Sequence, residues 1–519
     1  MTITTSATLS DRRGVGAFLL GCSAVTAGVI LHLPRFIASR AMGYRMAGMP
    51  IETGMLIGMA LIVGGVAISA YGLLPTRIRE QRAVPNVTVT APEDAALGRM
   101  HWGLMLVLVV ALSIDVMKPA TLGFTMTGMA EEYDVTSAHA ALVPFSALAG
   151  TVAGSIVWGV IADIYGRKAS ILLSAVMFVG TSICGAMPSL AWNIAMCFMM
   201  GAAAGGMLPV TYALLAETMP IRHRGWALVL IGGLGAVGGY LAASGSSALL
   251  QPVFGWRILW LLNLPSGLLL IGLGAFIPES VAFLLARGRT AEAHAVMRRF
   301  GSRIAGGAAK VGLVPSSMTL TGRHLIGKVV ALSIVALAWG LINFGLMLWL
   351  PGDLVAKGYS IGGSSRLLAT SAVMAFPMVF VAALLYSWWS TKWTLVLMIG
   401  ITLAGLVGML SSDLRGGDPM LPVALLILGS NGIIATLLPY ATESFPFRVR
   451  GRATGWVAAC SKSGGLIAQL LGILALEPAL GLASLLLTVP LILALPLVAV
   501  FGRETKGRDL RALDMARQL

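Results

Sequence analysis

The stretch LGLASLLLTVPLILALPLVAVF, residues 480–501, holds no charged side chain, and segments like it follow one another along almost the whole chain. A helix rises about 1.5 Å per residue, so roughly 20 apolar residues cross a hydrocarbon core about 30 Å thick. No alternating strand pattern competes. Of the 519 residues 57% are hydrophobic and only 11% charged, at a mean hydropathy of +0.88, more apolar matter than a soluble core absorbs. The 63 glycines fit helices that pack closely within a membrane, where small residues let backbones approach. The fold class read from this is an all-α polytopic membrane protein.

Twelve spans are expected near residues 103–127, 141–162, 169–187, 191–216, 226–250, 257–277, 328–352, 366–390, 393–411, 420–441, 454–475 and 480–501. A polar connection at 279–327, carrying Arg287, Arg289, Arg298, Arg299, Arg303, Lys310 and Arg323, separates six from six. The expected units are therefore an N-terminal extension (1–98), a first six-helix half (99–278), the connection (279–327), a second half (328–502) and a tail (503–519).

A repeat supports this division. Glu217, Pro220, Arg222, Arg224 and Gly225 in AETMPIRHRG recur in register as Glu443, Pro446, Arg448, Arg450 and Gly451 in TESFPFRVRG, an offset of 443 − 217 = 226. Every second loop is basic, from YGRKAS with Arg167 and Lys168 to the tail with Arg503 and Lys506, whereas MAEEYDV between the first two spans is acidic. Short basic loops stay in the cytoplasm, so both copies of the motif and both chain ends are expected there. The net charge of +15 then reflects topology and contact with anionic lipid headgroups, not nucleic acid.

The first hundred residues hold two further apolar stretches, 14–33 and 51–74, which read as a fused helical hairpin and raise the expected count to fourteen crossings. Its loop carries Arg35, Arg40 and Arg45 on the outward side, against the usual bias; an interfacial first segment is the alternative. A cleaved signal peptide fits less well, because the apolar run after Arg12 and Arg13 exceeds the usual length of roughly 7–15 residues.

Four fragments carry a family resemblance. GVIADIYGRK, Gly159 to Lys168, resembles the loop signature of the major facilitator superfamily, and AETMPIRHRG is similar to the motif that follows the fourth span in its sugar porters and related metabolite carriers. PESVAFLLARGRTAEA and GRETKGRDL resemble segments after the sixth and twelfth spans of that branch, with Arg503 where the branch has Pro. The resemblance covers roughly 100–510 and implies two halves that rock about a central site, with no catalysis. It implies gating roles for Gly159, Asp163, Gly166, Arg167, Lys168, Glu217, Arg224, Glu443 and Arg450: ion pairs that hold the cytoplasmic side shut and must break when it opens. The bland alternative is that these are solvated charges that serve topology alone. The loop between the eighth and ninth spans, LLYSWWSTKWTL, lacks both the Asp and the Gly-Arg pair, so the second-half switch reads as degenerate.

Substrate chemistry is expected near the membrane middle, where an ionisable side chain costs several kcal/mol unless it meets a partner or a wet cavity. Asp115 and Lys118 lie one turn apart in the first span, with Asp115 about 18 Å from its start, and Lys462 lies about 12 Å into the eleventh. Two readings of the first pair stand: a structural ion pair, or a proton-titrating Asp115 beside a Lys118 that binds an anion. Lys462 resembles a basic residue that aromatic-acid and related metabolite:proton symporters carry there, and FGLMLWLPGDLVAKGYS is similar to their seventh span. The two lysines would then clamp a carboxylate; for Lys462 the competing reading is snorkelling or helix packing. Asn343, Asn431, Tyr212 and Gln469 are candidate hydrogen-bonding partners of a ligand, or interhelical glue, and Trp339, Trp388 and Trp389 stack on substrate or sit at an interface.

Four scattered cysteines, six unpaired histidines and the absence of a GxxxxGK[ST] loop give no footing for metal, disulfide or nucleotide chemistry, so no cofactor is expected. The expected function is proton-coupled uptake of a small organic acid by a monomer in a bacterial inner membrane, with efflux of drugs or metabolites by antiport as the alternative. Expected partners are the solute, protons and the lipid bilayer.

Overall fold

The computed structural model describes residues 12–74, 89–90, 97–205, 207–301, 303–304, 323–445 and 447–506. Most of the polar linker after the hairpin, residues 305–322 of the connection and the tail beyond 506 lie outside the described residues, as do the side chains of Asp163, Glu217 and Arg450. The regular structure of the described residues is helical apart from a two-residue antiparallel pair that joins Val89–Thr90 to Arg303–Ile304.

Among the described residues eleven helices are long and apolar enough to cross a membrane, and Leu190–Ala204 and Ile258–Leu273 are apolar but shorter. Nine of the eleven, the two shorter helices and Phe447–Ile473 lie at the twelve expected spans, with bounds that differ by several residues; the other two of the eleven form the N-terminal hairpin. Span 1 runs over Arg99–Glu132 and span 5 over Ile221–Phe254. The charged PIRHRG segment, which reads as a loop, is largely the first turn of span 5: Pro220 takes the N-cap position, where no N–H is needed. Span 4 is Leu190–Ala204 followed by Met207–Thr218, and span 11 is Phe447–Ile473.

Side-by-side packing repeats between the halves. Span 5 lies on span 1 as span 11 lies on span 7; span 2 packs on span 4 as span 8 (Ile361–Ala375 and Met378–Trp388) packs on span 10 (Met420–Ser444). Span 3 (Arg167–Gly180) meets span 6 as span 9 (Thr391–Arg415) meets span 12 (Leu480–Phe501). The halves touch where span 5 faces spans 8 and 10, span 1 faces span 7, and span 2 faces span 11. At the span 1–span 7 crossing the backbones nearly meet: a Cβ on Gly123 would lie 2.9 Å from the Leu348 carbonyl oxygen, so a side chain there forces the helices apart.

The extension forms the expected hairpin from Arg12–Ile30 and Thr53–Leu73 and docks on span 3. It breaks the symmetry: 94% of the span 3 membrane window is buried, against 44% for its counterpart span 9. The arginines of the hairpin loop are partly neutralised, since Arg35 pairs with Glu52 and Arg45 pairs with Glu131 at the end of span 1.

Candidate functional site

Between the halves lies a small cavity of about 30 Å³. Val116, Pro119 and Ala120 of span 1 and Tyr240 of span 5 form one wall; Asn343 and Phe344 of span 7 and Asn431 of span 10 form the other. Local backbone irregularity builds both walls. Span 7 takes one π-helical turn over Ile342–Leu346, a widening that recurs at functional sites and here carries Asn343 and Phe344. In span 1, Pro119 has no N–H to give the Asp115 carbonyl, which interrupts the helix ladder beside the cavity.

The three mid-membrane charges come together. Lys118 Nζ lies 3.6 Å from Asp115 Oδ1, both side chains being almost fully buried, and it also sits 3.4 Å from the centre of the Phe178 ring in span 3. Lys462 of the second half lies 5.0 Å from the centre of the Phe344 ring and interacts electrostatically with Asp115 across the two halves. Asp115 thus interacts with a lysine of each half. The symmetrical clamp expected of those lysines is not what the geometry gives, because Lys118 is tucked against span 3 while Lys462 backs a ring that lines the cavity.

The other candidates divide. Asn343 and Asn431 line the cavity, although Asn431 Nδ2 also donates to the Ile427 carbonyl at 2.8 Å. Gln469 is buried and donates to the Phe344 carbonyl, bracing the π turn. Tyr212 is not among the cavity-lining residues and its hydroxyl abuts Gly232 of span 5. Trp339 packs edge-on to Phe344, and Trp388 and Trp389 are exposed at a span end. Tyr240 is the residue the sequence reading missed: buried, lining the cavity, its hydroxyl without a hydrogen-bond partner among the described residues.

At the face bearing the basic loops, each half ends in a carboxylate that caps a span. Glu279 Oε1 accepts from the Arg167 N–H at 2.8 Å and from the Lys168 N–H at 3.4 Å, at the start of span 3. Gly166 makes the turn with φ +103°, and a Cβ there would come within 2.5 Å of Glu279 Oε2, so glycine is required twice over. Glu504 accepts from the Thr391 N–H at 3.0 Å and the Thr391 hydroxyl at 2.7 Å, at the start of span 9. Burial pushes the Glu279 carboxyl above its ordinary range despite these donors. Burial acts the same way on Glu504, but the Ser390 hydroxyl, the Lys506 N–H and Thr391 outweigh it and hold the carboxyl at about 2. Gly159, grouped with the gate on resemblance, is exposed with open space where a side chain would stand.

Glu443 has partners from both halves, while the side chains of Glu217 and Arg450, the other members of the repeated pairs, lie outside the described residues. Its Oε2 accepts from the Tyr386 hydroxyl at 3.0 Å and the Thr505 hydroxyl at 2.8 Å, and Arg224 of the first half interacts with it electrostatically. At the opposite face, Glu132 gathers Arg257 at 2.7 Å, the Trp256 indole N–H at 2.8 Å and two backbone N–H groups of the hairpin loop, Met46 and Ala47. A buried pair of this kind loses about 3–5 kcal/mol when one partner is removed. It anchors the hairpin loop to spans 1 and 6.

Residues 103–469 match the model of the Major Facilitator Superfamily. The chain is 26% identical over 448 residues to the niacin transporter NiaP of Acinetobacter baylyi, covering 82% of this chain and 99% of that protein. It is 25% identical over 401 residues to the 4-hydroxybenzoate transporter PcaK of the same organism, covering 73% and 86%. In three dimensions it is similar to an inward-open structure of the xylose transporter XylE from E. coli, with a TM-score of 0.62 at 17% identity over 80% of this chain and 99% of that one. It is equally similar to XylE, a proton:xylose symporter, bound to 6-bromo-6-deoxy-D-glucose, with a TM-score of 0.63 at 18% identity over 80% and 98%.

Proposed function

Because the chain belongs to the Major Facilitator Superfamily, a family of transporters rather than enzymes, we propose that this secondary transporter of small organic solutes imports an organic acid together with protons. One observation carries the reading: Asp115, a carboxylate inside an apolar span, interacts with Lys118 of its own span and with Lys462 of the other half, beside a cavity with amide, phenol and phenyl groups. Lys462 offers a charge to the solute carboxylate, Phe344 a ring face, and Asn343, Asn431 and Tyr240 hydrogen bonds. Proton uptake by Asp115 releases its hold on the lysines, which ties anion binding to proton binding. Relatives named for niacin and 4-hydroxybenzoate support a ring-bearing acid as the first solute to try.

The gating residues belong to the same proposal: Gly159, Asp163, Gly166, Arg167, Lys168, Glu217, Arg224, Glu443 and Arg450 shut the basic face, which is placed on the cytoplasmic side of a bacterial inner membrane. With the hairpin included, the proposed topology has fourteen crossings and both ends inside, in a monomer. The test is a thermal-shift screen of the purified protein against aromatic acids, aliphatic acids, sugars and cationic drugs, repeated with Lys462→Ala and followed by uptake into vesicles. Stabilisation by acids that vanishes in Lys462→Ala, with uptake driven by an inward proton gradient, is the expected result. Stabilisation by neutral or cationic compounds, untouched by the substitution, overturns the anion site and favours efflux.

A further inference from the structure

The loop LLYSWWSTKW between spans 8 and 9 lacks the acid and the Gly-Arg pair of GVIADIYGRK, yet the two loops are framed alike. In each, a glutamate from the end of the same half accepts a backbone N–H at the start of the next span, Glu279 from Arg167 and Glu504 from Thr391. Tyr386 stands about one helical turn before the Ser390 N-cap, much as Asp163 stands before the Gly166 N-cap. It is only 2% exposed, and its hydroxyl donates to Glu443 Oε2 at 3.0 Å. Thr505, next to Glu504 in sequence, donates to the same oxygen at 2.8 Å. The other oxygen faces the first half: a Cβ on Gly225 would lie 3.5 Å from Glu443 Oε1 and 3.3 Å from the Tyr386 ring.

We propose that Tyr386 is a positioning residue of the basic-face gate, taking the place of the acid that the second-half loop lacks and aiming the Glu443 carboxylate at Arg224 and Gly225. The inference rests on the alternating-access reading above. An aspartate beside Glu443 would repel it, whereas two hydroxyl donors on one oxygen fix the carboxylate, keep its charge and leave the second oxygen for the opposing half. Gly225 has no side chain to obstruct the approach. The aim matters only while that face is shut, so loss of the Tyr386 hydroxyl shifts the equilibrium toward the state open at the basic face. A hydrogen bond to a charged group is worth about ten- to a hundredfold in such an equilibrium.

The experiment uses a single thiol at the cavity wall, Ala120→Cys, in the full chain with Cys22, Cys184, Cys197 and Cys460 replaced by serine or alanine. Alkylation by a membrane-impermeant maleimide is timed from each face, in right-side-out and inverted vesicles. Tyr386→Phe, which keeps the ring packed on Gly225, is expected to speed labelling from the basic face by about tenfold or more and to slow it from the other, with the thermal-shift solute profile unchanged. Thr505→Val is expected to act in the same direction and carries the test if Tyr386→Phe yields too little folded protein. Labelling from both faces in the parent, with no change in either variant, overturns the role of Tyr386 alone. Labelling of the parent from one face under every condition overturns alternating access itself, so the two failures are distinct.

Discussion

Asp115, Lys118 and Lys462 sit where an unpartnered charge costs several kcal/mol, and each has something to hold it: a counter-charge, an aromatic face, or both. Replacing Asp115 by Asn keeps the shape and removes the group that binds a proton. Accumulation against a gradient should fall to the level of equilibration, while counterflow exchange in proteoliposomes persists; undiminished accumulation would take Asp115 out of the coupling step. These three residues were legible in the sequence because a charge inside an apolar run has few bland explanations. The direction of Lys118 was not, since a one-turn spacing puts two side chains on one face without saying which neighbouring helix they turn to. Tyr240 was missed for a different reason: in the run GAVGGYLAASG a tyrosine looks like core, and only the packing shows its hydroxyl beside the cavity.

Helices were easy to find and hard to end. Apolar length located a helix at each expected position, nine of them long and apolar enough to cross a membrane, but charge and proline at their borders, as in PIRHRG, signal solvent whether or not the helix continues into it. The π turn at Ile342–Leu346 left no mark that sequence reading could use, because it depends on the carbonyl of Phe344 finding Gln469 on another span. The close passage of span 1 over span 7 at Gly123 is likewise a property of two elements at once. Gly123→Ala should push those spans apart at the face opposite the basic loops, at a strain of about 1–3 kcal/mol. The expected outcome is faster maleimide labelling of the Ala120→Cys thiol from that face and slower net transport; an unchanged labelling rate would mean that this crossing does not close the pathway.

The two-half plan was legible from one repeated motif, whereas a second correspondence, Glu279 with Glu504 at an offset of 504 − 279 = 225, emerges only when both are seen capping spans 3 and 9. The hairpin was legible as a hairpin but not as a cover for span 3, since nothing in an apolar helix says which apolar neighbour it chooses. Deleting residues 1–98 uncovers span 3 and removes the loop from Glu132, so the melting temperature should drop by several degrees while the thermal-shift solute profile is retained; a changed profile would place the hairpin in the transport pathway. The same anchorage bears on how the chain is made. The hairpin leaves the ribosome before span 1, and Arg45 meets Glu131 only 86 residues later. In the proposed topology its loop has by then crossed the bilayer with arginines that have no acid from span 1 to face, so during synthesis the insertion machinery, and not the finished fold, has to keep the first two helices from turning over.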